Sequence, residues 1–371
     1  MSLIGQVVAQ NPNRSGHVAG VGSGGINPLY ADEHFGDVER RLIETSFMRN
    51  HLNVRTIRGT DTLTSRRMGA VALQKLERGV IPGDNSPTYD SISIKVDTIV
   101  IARATEWTLE DFQNDRDFRR DISEEQGDEL GMYFDLCHIA QAVKAAQITL
   151  VDPAGVESGG WVDAMSPDGK ASVAGQAVAA KIKRSAPKGH RGGTVIVLEA
   201  AGDETDPVAA ELAHRRAKTE MMKKHVNERD LLWLMDWDWH ETLSRNENLI
   251  TADLNRNDNG SWADMTVYRA GAIKVHPTTH MPEIVHVRGV SDHFLSNAGN
   301  GYAYNNTAND VKCRAVLIAK KTLLSGETIP LTTKIWFDDL SKMWYIDAWT
   351  AFACTANRPE YAAAIFEHGV A

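Results

Sequence analysis

The chain is 371 residues long, 42% hydrophobic and 24% charged, with a formal net charge of −9. That length and apolar share suit one large domain or two to three modest ones, and the acidic balance excludes a protein that coats nucleic acid through a basic surface. Three widely spaced cysteines, Cys137, Cys313 and Cys354, form neither a disulfide framework nor a CxxC metal site and point to a reducing cytoplasm.

The opening "MSLIGQVVAQNPNRSGHVAG" lacks a basic stretch followed by a long apolar one, so no secretory signal is expected. No run approaches the ~18 apolar residues of a membrane span. Residues 1–31 are rich in Gly, Asn, Ser and Pro and read as an extended arm, ordered only where a neighbour holds it. Within it "GVGSGG" matches GxGxxG. A dinucleotide site needs a strand before that motif and a helix after it, and Pro28 follows almost at once.

"EHFGDVERRLIETSFMRNHL" places Phe35, Val38, Leu42 and Thr45 near helical spacing, and "NVRTIRG" reads as a short strand. From Thr62 to Asp90 the pattern dissolves. This stretch carries Arg66, Arg67, Lys75 and Arg78, with three Gly and two Pro, and has no steady apolar period. "SISIKVDTIVIARATEW" then alternates. Ile92, Ile94 and Val96 share one parity, and Thr98 and Val100 continue it. Ile99 and Ile101 fall on the opposite parity, so the second half of the strand is expected to be buried on both faces.

The strongest helix spans Phe118 to Gln147. Asp115, Asp117, Asp121, Glu124 and Glu125 crowd its front and Lys144 sits near its end, an order that complements the helix dipole. Leu130, Tyr133, Phe134, Cys137, Ala140 and Val143 form one apolar stripe. Gly127 and Gly131 are expected to let one face approach the sheet closely. At ~1.5 Å per residue the helix is about 45 Å long.

Residues 152–193 read as loops with one short helix near Ala171–Lys183, and "TVIVLEA" as a buried strand. "DPVAAELAHRRAKTEMMKKHV" is an amphipathic helix with Pro in its first turn. "ERDLLWLMDWDWHETLSR" is expected to continue as helix and turn. "MTVYRAG", "AIKVHPT", "EIVHVRG", "KCRAVLIAKKTLL", "TTKIWFDD" and parts of "SKMWYIDAWTAFACTANRPEYAAAIF" read as strands.

Chemistry is sparse. No P-loop, GxSxG or Cys/His nucleophile pattern is present. His276 and His280 are separated by Pro277, which forbids the helix that would bring them together, while His286, Asp292 and His293 have no such bar to converging. Trp233, Trp237 and Trp239 beside Asp236, Asp238 and His240 offer a sugar platform, and more simply a core or interface anchor.

Four stretches, in this order, carry a resemblance: "TLTSRRMGAV", "PGDNSPTYDSISIKVDTIVIARATEWTLEDFQNDRDFRRDISEEQGDELGMYFDLCHIAQAV", "ELAHRRAKTEMMKKHVNERDLLWLMD" and "ANRPEYAAAIF". Their order and spacing resemble the major capsid protein of tailed double-stranded DNA phages, the short-tailed podovirus type fitting best. The resemblance implies an α+β chain with the tailed-phage major capsid fold. It implies an N-terminal arm (1–56), an extended loop (57–93), a peripheral domain with a long spine helix (94–190), an axial domain (191–316) and a return to the peripheral domain (317–371). Function then follows as self-assembly through hexamers and pentamers into an icosahedral head around double-stranded DNA, without sequence-specific binding, a cofactor, a metal or catalysis.

The partners implied are the chain itself, portal and scaffolding proteins, and a decoration protein as a further candidate. The place implied is the virion capsid, assembled in the host cytoplasm. Arg66, Arg67, Lys75 and Arg78 are expected to meet acids of a neighbouring subunit, with Asp115, Asp117, Asp121, Glu124 and Glu125 as one candidate surface. Some shells of this fold join a loop Lys to an Asn covalently. Lys75 lies beside Glu77 and Arg78 and reads as a solvated ammonium, so no link to Asn357 is expected. An encapsulin-type compartment shell and a soluble enzyme using the His/Trp region are the alternatives.

Overall fold

The computed structural model describes residues 28–68, 75, 78–79, 89–109, 118–148, 193–223, 226, 230–246, 269–270, 273–283, 293–297, 299–300 and 302–369. The chain forms two compact units from interleaved segments. Unit one takes residues up to Asp61, then Val96–Asp135 and Gly326–Ala353; unit two takes Thr62–Lys95, Leu136–Ser325 and Cys354 onward.

Unit one begins with helix α1 (Pro28–Thr45) and helix α2 (Phe47–His51). Pro28 opens α1, where its missing N–H costs nothing, so helix starts inside the segment read as an extended arm. Val38 and Leu42 are buried one turn apart and carry the face that docks. Ser46 ends the run. Its backbone is extended (φ −82°, ψ 106°) and its hydroxyl oxygen accepts the Arg49 N–H as the cap of α2.

A four-stranded sheet follows the order β1 (Val54–Thr56), β10 (Leu323–Asp338), β11 (Met343–Ala356), β4 (Val100–Trp107). β4 and β11 are antiparallel, with Val100 opposite Thr350 and Trp107 opposite Met343. The long helix α3 (Phe118–Gln147) packs its first half on this sheet. Ile122 joins Ile335, Trp344, Ile346 and Phe337 in one apolar cluster. The Gln126 amide donates to the carbonyls of Ala102 (3.2 Å) and Ile346 (2.9 Å), tying two strands to the helix. Phe134 meets Phe352 with centroids 4.9 Å apart. Burying a side chain of that size contributes roughly 1.5–3 kcal/mol.

The structure corrects three expectations in this region. The alternating run breaks into two strands, β3 (Tyr89–Lys95) and β4, which belong to different sheets. Ile99 and Ile101 are 57% and 49% exposed, so only one face of β4 is covered within the chain. Gly127 and Gly131 face a helix and not the sheet. A Cβ on Gly127 would lie 2.7 Å from the Arg41 Cβ and 2.8 Å from the Val38 carbonyl oxygen, and one on Gly131 would lie 3.1 Å from the Thr45 Cβ. These glycines let α1 and α3 approach backbone to backbone.

Unit two holds a six-stranded sheet in the order β5 (Thr194–Val197), β12 (Ala363–Phe366), β9 (Cys313–Ala319), β6 (Leu231–Met235), β8 (Ile273–Pro277), β7 (Arg269–Ala270). β6 pairs in parallel with β8 and antiparallel with β9, and all five of its residues are buried. This segment also differs from its sequence reading. "LLWLM" is a central strand because five consecutive apolar residues suit burial on both faces and carry no helical period. β5 is an edge strand with Val195 exposed, so "TVIVLEA" is not fully buried. Helix α4 (Pro207–Lys223) buries Ala210, Ala213, Ala217 and Met221, and helix α5 (Trp237–Ser244) buries Trp239 and Leu243, in the same core as Trp233 and Leu317. A two-stranded hairpin of β2 (Thr62–Met68) and β3 also belongs to this unit. The expected helix near Ala171–Lys183 and the expected strand "EIVHVRG" after Glu283 lie outside the described residues.

Candidate assembly surfaces

The basic excursion starts as a strand. β2 and β3 pair antiparallel from Thr62 opposite Lys95 to Met68 opposite Tyr89, a register that sets Arg66 opposite Ser91 and Arg67 opposite Asp90. Ile92 and Ile94 are buried while Ser93 and Lys95 are exposed, as the alternation requires. Beyond the strands, Lys75 and Arg78 are exposed.

Of the acidic residues at the head of α3, Asp115 and Asp117 lie outside the described residues. Asp121 and Glu125 are exposed, and Glu124 reaches Arg40 of α1 at 3.5 Å. The basic set therefore belongs to unit two and the described acids to unit one. One acid already has a cation of its own chain.

That ion pair is one stitch in a polar seam between α1, α2 and α3, which no local sequence feature announces. Arg41 meets Asp128 at 3.2 Å, and the Thr45 hydroxyl donates to the same carboxylate. Asp135 is buried. It accepts the Ser46 hydroxyl (2.7 Å) and the backbone N–H groups of Phe47 (2.9 Å) and Met48 (3.1 Å). Those N–H groups are the ones a helix start leaves without partners, so a side chain 87 to 89 positions away completes the cap. His34 bonds Ser123 through Nδ1, and burial lowers its pKa to about 4 against the opposing pull of Asp37. Among the described residues its Nε2 has no partner.

Unit two holds a second buried polar group. Lys144 lies in the last turn of α3, as its sequence position indicates, but not in solvent. It is buried, and its ammonium donates to the carbonyls of Ala303 (2.7 Å) and Asn305. Burial lowers its pKa to about 8, with the Asp310 carboxylate pulling the other way. The Leu295 N–H donates to His293 Nδ1 at 3.2 Å, so a neutral His293 carries its proton on Nε2 and points it at the Cys137 sulfur, 3.3 Å away. His293 also stacks on Tyr304, whose hydroxyl donates to the Cys354 carbonyl at 2.7 Å. Burial pushes the thiols of Cys313 and Cys354 well above the usual thiol range, which leaves them unreactive.

The Trp cluster resolves as a core anchor. Trp233 and Trp239 are buried, and Trp239 donates from Nε1 to His214 Nε2 at 3.0 Å. Burial holds the His214 pKa at about 3, so it stays a neutral acceptor. Only Trp237 of the three is exposed. Of the proposed convergent set, His293 is described and buried, and His286 and Asp292 lie outside the described residues. Among the described residues no three His, Cys, Asp or Glu side chains gather as metal ligands, and no helix is long and apolar enough to cross a membrane.

No protein-family model matches the chain, and no curated protein is similar to it in sequence. Solved structures are. The mature capsid of bacteriophage PhiM1 superposes with a TM-score of 0.65 at 18% identity, over 88% of each chain. This chain has the tailed-phage major capsid fold. The capsid of cyanophage P-SCSP1u gives a TM-score of 0.64 at 16% identity, over 87% of this chain and 88% of that one. The capsid of Ralstonia phage GP4 gives 0.51 at 11% identity, over 85% and 86%. The α+β architecture expected from the order of the sequence motifs is thus the observed one, and the likeness runs over nearly the whole length of both partners.

Proposed function

We propose that this chain is the major capsid protein of a tailed double-stranded DNA phage. The observation that carries the reading is the reciprocal coverage of 88% between this chain and the PhiM1 capsid subunit. The subunit assembles as hexamers and pentamers into an icosahedral head in the host cytoplasm, guided by a scaffolding protein, joined to a portal and open to a decoration protein. Its net charge of −9 keeps the wall from adhering to the DNA it encloses. The short-tailed assignment rests on the order of the sequence motifs.

Residues 1–56 serve as the N-terminal arm, 57–93 as the extended loop, 94–190 and 317–371 as the peripheral domain and 191–316 as the axial domain. The loop cations Arg66, Arg67, Lys75 and Arg78 dock on a neighbour, with Asp121 and Glu125 as the exposed acids that fit them. The protein is structural and catalyses nothing; no Lys75–Asn357 link forms.

Electron microscopy of the expressed chain, with and without its scaffold, tests the reading. Closed shells of uniform size are expected. A protein that sediments only as monomer under both conditions overturns it. Shells that co-purify with an enzyme cargo favour the compartment alternative.

A further inference from the structure

Helices α1 and α2 meet end to end at Ser46, yet they are held differently. α2 is pinned. The buried Asp135 carboxylate takes the Ser46 hydroxyl and the N–H groups of Phe47 and Met48. Arg49 makes three bonds of 3.2 to 3.3 Å to Glu327 on β10, and its guanidinium lies 5.6 Å from the centre of the Phe134 ring. α1 carries weaker ties. Its ion pairs, Arg40 with Glu124 and Arg41 with Asp128, are partly exposed, and pairs that water reaches add little. Its apolar grip is Val38 and Leu42, set against the backbone-close face of Gly127 and Gly131.

Among the described side chains of α1, His34 is the only ionisable one that is buried. Its Nδ1 bonds the Ser123 hydroxyl on α3, and its Nε2 has no partner among the described residues. Protonation makes both ring nitrogens donors. The Nε2–H is then buried without an acceptor, and a charge sits away from water. Burial lowers the pKa of the docked ring to about 4, while Asp37, on α1 itself, pulls the other way. Across the contact, the α3 carboxylates of Glu124 and Asp128 are engaged by Arg40, Arg41 and Thr45.

We propose that α1 is an acid-released latch: when His34 takes up a proton, α1 swings away from α3 about Ser46 while α2 stays in place. Ser46 suits a hinge, since its backbone is extended (φ −82°, ψ 106°) between two helices. The proton drives opening because the undocked ring is solvated and binds it as an ordinary imidazole does. With about 6.5 for the free ring and about 4 for the docked one, the population with α1 open rises about 30-fold between pH 7.5 and pH 5. Opening bares Val38, Leu42 and the glycine face of α3, a surface that the chain hides at neutral pH. The latch acts within a single chain and is independent of the shell-forming reading.

Hydrogen–deuterium exchange of the full, unassembled chain tests the latch, read by mass spectrometry at pH 7.5 and pH 5 and corrected for the intrinsic effect of pH on exchange. An isolated helix of 18 residues with a glycine inside it is barely stable in water, so the amides of α1 exchange once it undocks. Protection is expected to fall about 30-fold in α1 and to hold in α2 and α3. Equal protection of α1 at both pH values overturns the proposal. So does a parallel loss in α1, α2 and α3, which is acid unfolding of the whole unit. His34→Gln is expected to abolish the difference between the two pH values. If α1 of that variant still opens in acid, the carboxylates of Glu124 and Asp128 are the switch and the proposal fails. An NMR titration of the parent chain covers the case in which the variant does not fold: a His34 ring that titrates at about 6.5, as in an unfolded chain, overturns the latch.

Discussion

Asp135, in the middle of the long helix, accepts the hydroxyl of Ser46 at 2.7 Å, 89 positions earlier in the sequence. The same carboxylate takes the N–H groups of Phe47 and Met48, so one buried charge holds the start of α2. The N-terminal helices are thereby fastened to α3 by a charge-assisted cluster as well as by apolar packing.

Asp135→Ala leaves the buried Met48 N–H, the half-buried Phe47 N–H and the buried Ser46 hydroxyl without this acceptor. Each orphaned group costs about 1–3 kcal/mol, so the variant is expected to lose at least that much stability. Asp135→Asn keeps one acceptor oxygen and is expected to recover part of the loss. Urea midpoints of the three proteins give the comparison; equal midpoints would show that α2 does not depend on the cap.

Gly127→Ala tests the close approach of α1 and α3. Alanine favours an exposed helix by about 1 kcal/mol over glycine. Here its Cβ would meet the Val38 carbonyl oxygen at 2.8 Å, and backbone cannot step aside cheaply. Overpacking of this kind costs about 1–3 kcal/mol. Gly131→Ala, where the nearest atom is 3.1 Å away, is expected to cost less. The order of the two melting temperatures checks it, and a Gly127→Ala protein more stable than the parent refutes the tight seam.

Acid sensitivity follows from two buried imidazoles. His34 and His214 titrate at about 4 and about 3 in the folded chain, against roughly 6.5 when unfolded. Between those values the unfolded chain binds protons that the folded chain refuses, so stability falls as pH drops below 6.5. A displacement like that of His34 is worth about 3 kcal/mol. His34→Gln is expected to flatten the loss between pH 6.5 and pH 4. Unfolding free energies at pH 7 and pH 5 measure the slope, and an unchanged slope would mean that His34 takes up its proton as readily in the fold as in the unfolded chain.

Arg66→Glu probes the loop more cleanly than a change at Arg67. The register sets Arg66 opposite neutral Ser91 but Arg67 opposite Asp90. The Arg66 variant is expected to fold with an unaltered circular dichroism spectrum and to form fewer particles. Particle counts equal to the parent would make the excursion a solvated hairpin.

Helix α3 was legible because an apolar stripe with helical period runs from Leu130 to Val143 behind an acidic front. Helix α4 was legible for the same reason, with Pro207 marking its start. "LLWLM" was not, since five apolar residues in a row have no period to read. The place of Lys144 in the last turn was legible, but its burial was not, since only the fold brings two loop carbonyls to its ammonium. Asp135 left no trace at all: its partners come from a segment whose distance along the chain hides the contact. The acids Asp121, Glu124 and Glu125 were visible as a cluster, but nothing in their spacing told which of them Arg40 would engage.

The order β1, β10, β11, β4 has a consequence for synthesis. β1 and β4 leave the ribosome early, yet the two strands that separate and pair with them are encoded roughly 220 residues after β4. At about 5–20 residues per second the early strands wait on the order of 10 to 45 s for partners. During that interval the apolar run "IVIARATEWTL" lacks β11, the strand that covers its inner hydrogen-bonding edge in the folded sheet. The nascent chain is at its most adhesive before the sheet can close, and the rate of translation sets how long a chaperone must cover it.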